Sequence, residues 1–237
     1  MEERFVRTAY VIGDDAVNRL RRGSVIIFGV GGVGSYCAEA LARLGVGNIT
    51  LVDKDVVSVS NINRQIIALH STVGLPKADV MKSRIKDINP DCNVTAISEF
   101  YLPETADKFD LSGYDVIIDA VDTVSAKLEL CVRAFKAEKS IISCMGTGNK
   151  MHPEMLEVTD IYKTSVCPLA RVMRRELRAR GIPHLRVVYS KEEPIARHAD
   201  HRLDDADSLK PVPGSLSFVP SVAGLMIARE AMNIIIK

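Results

Sequence analysis

Net charge is nearly absent from this chain: 31 lysines and arginines against 30 aspartates and glutamates leave +1 over 237 residues. That balance excludes a global basic field that would draw the whole protein onto nucleic acid. Cysteine is sparse, with five residues and no Cys-x-x-Cys anywhere. Cys37, Cys92, Cys131, Cys144 and Cys167 are scattered and odd in number, which reads as reduced thiols. The missing pairs exclude a structural zinc built from Cys-x-x-Cys ligands. No basic-then-apolar signal segment opens the chain, and Glu2, Glu3 and Arg4 speak against one. An unbroken apolar run of membrane length is missing too. Residues 218–236 are apolar but interrupted by Arg229, Glu230 and Asn233, so a docked amphipathic helix is expected rather than a span. No internal repeat is present. A cytoplasmic protein is expected, with 47% hydrophobic residues to build the core of one α/β domain.

What is present is glycine, concentrated in one place. Phe28-Gly29-Val30-Gly31-Gly32-Val33-Gly34 follows the strand-like run 24–28 and precedes an alanine-rich segment of helical pattern over 35–44. A glycine turn between strand and helix bares backbone N–H groups at a helix N-terminus, where phosphate is favoured by unpaired donors and the helix dipole. About twenty residues on, Asp53 ends the next apolar strand, 49–52, where a carboxylate can accept hydrogen bonds from ribose hydroxyls. A nucleotide is therefore expected on Gly29, Gly31, Gly32, Gly34 and Asp53. The alternative, tight strand–helix packing without ligand, leaves Asp53 unexplained.

The polar residues after Asp53 say which nucleotide. Asp55, Asn61, Asn63, Arg64 and Gln65 crowd into one short segment, and Lys77 follows Pro76 at the start of the next helix. A dehydrogenase needs only the acid on the ribose. Here Arg64 and Lys77 can neutralise a triphosphate, and asparagine can bond its oxygens or the waters of its metal. Lys77 also sits at the electrostatically wrong end of a helix for a cation, which favours a role. Asp122 lies just past the strand 116–119, where ligands of open α/β sheets gather, although it also suits a cap for the helix beginning near Ser125.

These residues, from about Arg4 to Asp122, resemble the ubiquitin-activating-enzyme superfamily, which holds the adenylating enzymes of molybdopterin and thiamin synthesis. The resemblance implies ATP with Mg2+, and an acidic residue at the position of Asp122 close to the metal and the phosphates. Arg4-Phe5-Val6-Arg7 is similar to the superfamily's Arg-aromatic-x-Arg element. Arg7 matches the arginine that reaches a partner's nucleotide, which implies a homodimer with shared sites. A frayed basic terminus is the competing reading. The lack of Cys-x-x-Cys separates the chain from the zinc-bearing activators of molybdopterin and thiamin synthesis.

Alternating strands and helices imply a doubly wound, mostly parallel sheet, a Rossmann-like adenylation fold. A short helix over 14–21, with Asp14 as N-cap, precedes the first strand. Helix 77–88, stopped by Asn89-Pro90, is followed by strands at 93–97, 116–119 and 140–144, with helix 125–137 between the last two. Residues 1–150 form the nucleotide-binding core of a single adenylating domain, and 151–237 a substrate-side appendage. That appendage is read as an outer strand over 151–161, a basic helix over 168–180, a strand over 185–189, a mobile crossover loop over 190–215 and the terminal helix.

Three blocks in this half, at 143–150, 160–171 and 188–194, resemble the bacterial tRNA threonylcarbamoyladenosine dehydratases and extend the resemblance to nearly the whole chain. It implies adenylation of the threonyl carboxylate of the modified adenosine beside the anticodon, followed by ring closure to an oxazolone. Family members are also linked to the sulfur-acceptor protein of a cysteine desulfurase. Arg171, Arg174, Arg175 and Arg178 on the basic helix are the candidate tRNA contacts, against the plain alternative of a solvated helix face. Cys167 before Pro168 is placed where a thiolate would be stabilised, although no base accompanies it and a tolerated thiol is the simpler reading. Two other functions stay open: an activator of a ubiquitin-like sulfur-carrier protein, and a nicotinamide-dependent oxidoreductase.

Overall fold

The computed structural model describes residues 2–196 and 213–237. Its centre is a seven-stranded sheet in the order β3-β2-β1-β4-β5-β7-β6. The strands are β1 Ser24–Phe28, β2 Asn48–Val52, β3 Asn93–Ile97, β4 Val116–Asp119, β5 Ser140–Cys144, β6 Leu156–Asp160 and β7 Arg186–Ser190. All neighbours pair in parallel except β6, which closes the edge antiparallel to β7. The central strands are apolar on both faces because helices cover both sides; β1 and β4 bury nearly every residue. The basic-helix half of the chain extends this same sheet through β7 beside β5.

Helices α1 Val6–Ile12 and α2 Asp14–Arg22 precede β1; α3 Gly34–Leu44, α4 Lys77–Ile88, α5 Val124–Lys136 and α6 Pro168–Ala179 join strands, and α7 Phe218–Ile235 ends the chain. One expected detail is corrected. Asp14 does not cap α2: Gly13 is its N-cap, and no side chain bonds the exposed amides. Gly13 takes φ 84°, so the sharp turn between α1 and α2 sets the boundary before Asp14 can act. The outer strand is also shorter than expected, since 153–155 form a 3-10 turn ahead of β6.

α7 is apolar and long enough to span a membrane by composition. Its Val219, Ala223, Ile227, Ala228 and Ala231 are instead buried with α3 residues Cys37, Ala38 and Leu41 in the main core. A second core joins Met173 and Leu177 of α6 to Val187 and Tyr189 of β7, and it contains Cys167. A third stacks Phe28 against Tyr101 and Phe109, with ring centroids 4.7 and 5.5 Å away. All five cysteines are free and buried. Burial pushes the Cys144 thiol up to about 12 and that of Cys92 up to about 11. Of the crossover loop expected at 190–215, residues 197–212 lie outside the described residues.

Candidate nucleotide site

The sheet reverses its winding between β1 and β4, and the crevice outside the strand ends at such a switch is where open α/β sheets hold ligands. The glycine turn lies there. Gly29 at φ 88° leaves β1 in a conformation that side chains resist, with the Ala120 carbonyl 2.6 Å from where a Cβ would stand. At Gly34 a Cβ would lie 1.8 Å from the Gly29 carbonyl oxygen, so these two glycines are demanded by packing. Gly31 and Gly32 differ. A Cβ at Gly31 meets nothing nearer than Gln65 Nε2 at 3.7 Å, and one at Gly32 meets Pro220 and Arg64 carbons at 3.2–3.4 Å. Gly31 therefore has room for a side chain, whereas at Gly32 the neighbours would have to give by a few tenths of an ångström.

Asp53 braces this turn from β2. One carboxylate oxygen accepts from Val30 N–H at 2.6 Å and the other from Asp55 N–H at 2.9 Å. Burial raises its pKa, against the pull of Lys77 and of those two amides. The acid thus holds the glycine turn itself, and a carboxylate oxygen with one bond keeps a lone pair for a further donor.

The polar loop is built on a 3-10 turn at 59–61. Buried Asn61 accepts from Ser58 N–H through its side-chain oxygen at 3.2 Å, while its carbonyl takes the amides of Arg64 and Gln65. Arg64 is pinned through Nη1 to Ser60 O and Asn63 Oδ1, both at 2.9 Å. Desolvation lowers its pKa, which marks a half-buried cation beside the turn. Asn63 donates to Ser215 O at 2.9 Å, so its amide serves Arg64 and the α7 approach. Gln65 is buried with its Oε1 unpaired among the described residues, next to open Gly31. An orphaned acceptor beside a bare turn is what a missing donor group, such as a ligand hydroxyl or a bridging water, would satisfy.

Lys77 is buried at the start of α4 and meets Asp55 Oδ2 at 2.9 Å, with Asp55 half exposed. That partner offsets the unfavourable helix end and fixes the ammonium beside Asp55. Asp122 follows β4, exposed, its only side-chain bond among the described residues coming from Thr123 Oγ1 at 3.3 Å. It does not cap α5, whose N-cap is Thr123 without a side-chain bond. Among the described residues no three His, Cys, Asp or Glu side chains cluster to hold a metal.

The sequence profile of the ThiF family matches residues 4–237. The chain belongs to the ThiF family. Among curated relatives, the Bacillus subtilis tRNA threonylcarbamoyladenosine dehydratase is 44% identical across 100% of this chain and 96% of its own. The Escherichia coli protein of that name is 41% identical over 75% of this chain and 66% of its own length. Its crystal structure in complex with AMP superposes with a TM-score of 0.89 at 33% identity, covering 98% and 94% of the two chains. A crystal form of the same enzyme in complex with ATP gives 0.87 over 98% and 93%.

Elsewhere in this ThiF-family chain the expected contacts fare unevenly. Arg7 is exposed on α1 and makes no bond to a described residue. The arginines of α6 are not one free row. Arg174 turns inward to the Thr164 carbonyl at 2.9 Å and to its hydroxyl, and Arg178 lies over the Tyr162 ring at 5.2 Å. Arg175 and Arg180 share Glu176. Arg171 remains exposed on its own. Of the four candidate contacts Arg174 is thus turned inward, since Thr164 caps a 3-10 turn and its carbonyl takes a donor there.

A buried network was not anticipated. Lys127 Nζ, only 1% exposed, lies 3.0 Å from Asp119 Oδ2 and 2.7 Å from Cys144 O, and Ser143 Oγ bonds the same carboxylate. It ties α5 to the ends of β4 and β5, directly beneath Asp122. The signal was a lysine three residues before Leu130 and seven before Ala134, both buried. A charge inside an apolar helical stripe calls for a buried partner.

Proposed function

We propose that the chain is an ATP-dependent tRNA threonylcarbamoyladenosine dehydratase, a cytoplasmic enzyme acting as a homodimer. The observation that carries this reading is the end-to-end likeness to enzymes of that name, on a chain whose glycine turn is flanked by Arg64 and Lys77. Residues 1–237 act as one adenylating unit. The amides of the Gly29–Gly34 turn and the cations Arg64 and Lys77 hold the triphosphate, and Asp53 takes the ribose. Asn61, Asn63, Gln65 and Asp55 keep those groups aimed. Asp122 would help to hold Mg2+, which when bound would supply positive charge to offset that of the leaving pyrophosphate.

The threonyl carboxylate attacks the α-phosphorus and pyrophosphate departs. The carbamoyl oxygen then attacks the acyl-adenylate carbonyl and expels AMP, so water is lost with no enzyme thiol involved. Positioning and charge stabilisation supply the catalysis. Buried Cys167 and Cys144 are packing residues in this scheme. Arg171 and its neighbours on α6 contact the tRNA backbone, and the sulfur-acceptor protein of a cysteine desulfurase is a candidate partner.

Incubation with ATP and tRNA carrying threonylcarbamoyladenosine should remove the mass of one water from the nucleoside, and only when ATP is present. Pyrophosphate exchange into ATP is run in parallel with the modified tRNA and with a ubiquitin-like carrier protein. Exchange with the carrier alone would replace the tRNA reading by the protein-activating one. A thermal shift with NAD and none with Mg2+·ATP would remove adenylation altogether.

If Arg7 serves the partner's site, mixing Arg7→Ala with Arg64→Ala chains restores activity, because one shared site in each heterodimer is intact. Mixed chains no more active than either parent would show that Arg7 acts within its own chain or not at all.

A further inference from the structure

Between β5 and β6 the chain reads Gly146-Thr147-Gly148-Asn149-Lys150, and Asn149 stands in the left-handed region at φ 55°. Non-glycine residues hold that conformation only when surroundings fix it, and asparagine does so best. Three hydrogen bonds fix it here. Asn149 N–H donates to Gly214 O at 2.7 Å, and Gly214 N–H returns a bond to Asn149 Oδ1 at 2.6 Å. The Asn149 carbonyl accepts from Ile195 N–H at 2.8 Å. One residue thus grips the chain at 195 and again at 214, on either side of residues 197–212.

The grip is reinforced around it. A Cβ at Gly148 would lie 2.8 Å from Pro213 Cβ, so the two strands of chain touch. Next door, Lys150 donates to Glu192 O, and the buried Glu192 carboxylate accepts the amides of Met151 and His152 at 2.8–3.0 Å. From Gly214 the chain then crosses the nucleotide loop. Ser215 O accepts from Asn63 at 2.9 Å, and Pro220 Cβ lies 3.2 Å from where a Cβ on Gly32 would stand. Residues 213–220 therefore form a strap running from the end of β5 to the phosphate turn, with Asn149 at its outer fastening. Its inner end is secured separately, because Val219 and Ala223 are buried in the core.

We infer that Asn149 is a positioning residue for the macromolecular substrate: by fastening the strap it fixes the wall along which the substrate's carboxylate is delivered to the α-phosphorus. The inference rests on the proposed dehydratase reading. A strap already ordered costs no ordering entropy when substrate docks, whereas a loosened one must be ordered at that moment. ATP rests on the turn and on Arg64, whose guanidinium bonds Ser60 O and whose amide bonds Asn61 O, neither of them part of the strap. Loss of the fastening should therefore appear in tRNA recognition and spare the nucleotide.

The experiment compares Asn149→Ala, Asn149→Gly and Asn149→Asp. Glycine keeps the left-handed backbone and removes the side-chain bond; aspartate keeps an acceptor for Gly214 N–H and tolerates the conformation. The KM for modified tRNA should rise about tenfold in the alanine and glycine forms, with the KM for ATP changed by no more than about twofold. Asn149→Asp should stay near wild type. Amide exchange at Gly214 should quicken in the glycine form and not in the aspartate form, a readout free of activity. Unchanged tRNA KM in Asn149→Gly, or parallel losses for ATP and tRNA, would overturn the inference. A folded wild-type enzyme that never dehydrates the tRNA would instead remove the reading on which it stands, while the exchange result would still decide whether Asn149 fastens the strap.

Discussion

Replacing Arg64 by alanine lowers ATP-dependent dehydration by about a hundredfold, with the melting temperature little changed. The guanidinium is held by Ser60 O and Asn63 Oδ1 through one nitrogen, and no other nitrogen bonds a described residue. Those remaining donors suit the oxygens that gain charge as pyrophosphate leaves, and none of the bonds supports the core. Lys77→Ala is expected to lose as much activity, but it also releases Asp55 from its ion pair and leaves a gap where a buried stem packed. Arg64→Lys should recover only part of the loss, since an ammonium lacks the planar fork that spans two phosphate oxygens. Single-turnover conversion with saturating ATP is the measurement. Near-wild-type rates in both alanine variants would reduce these cations to surface groups.

Lys127→Met destabilises the fold by about 3–5 kcal/mol, the cost of stranding a buried charge. Asp119 is fully buried, and its partners are Lys127 at 3.0 Å, Ser143 Oγ and the Val121 amide at 3.3 Å. Methionine fills the same space without a charge, so the carboxylate is left to a hydroxyl and one amide. Asp119→Asn in the same chain should restore a large part of the loss, because a neutral amide tolerates that site. Chemical denaturation of the wild type and the two variants measures both effects. A Lys127→Met loss below about 1 kcal/mol would mean that Asp119 takes up a proton or relaxes toward water at little cost. Activity should fall alongside stability, since the same network fixes the β4 end that presents Asp122.

The doubly wound sheet was legible because its signals are local. Apolar β-branched runs such as 24–28 and 116–119 can only be buried strands when helical segments alternate with them. The glycine turn was legible for a related reason: its chemistry is carried by backbone amides, whose exposure follows from glycine itself. Arg64, Lys77 and Asp53 drew attention through their spacing from that turn. Their division of labour was invisible. That Asp53 braces Val30, that Asn63 serves Ser215 and that Lys77 is matched to Asp55 depends on side-chain directions across separate elements.

Likewise, a row of arginines at 171–180 reads as one charged face, yet Arg174 turns inward because the carbonyl of Thr164, ten residues earlier after a 3-10 turn, takes its donor. Sequence by itself determined the fold class, the glycine turn between β1 and α3 and the family to which the chain belongs. Only the tertiary structure decided which polar groups are spent on one another. The Asp119–Lys127 network and the grip of Asn149 on Gly214 join residues 8 and 65 positions apart, respectively. Chain periodicity reports which face of an element is apolar, whereas a hydrogen bond requires two groups within about 3 Å, a condition set by how elements pack.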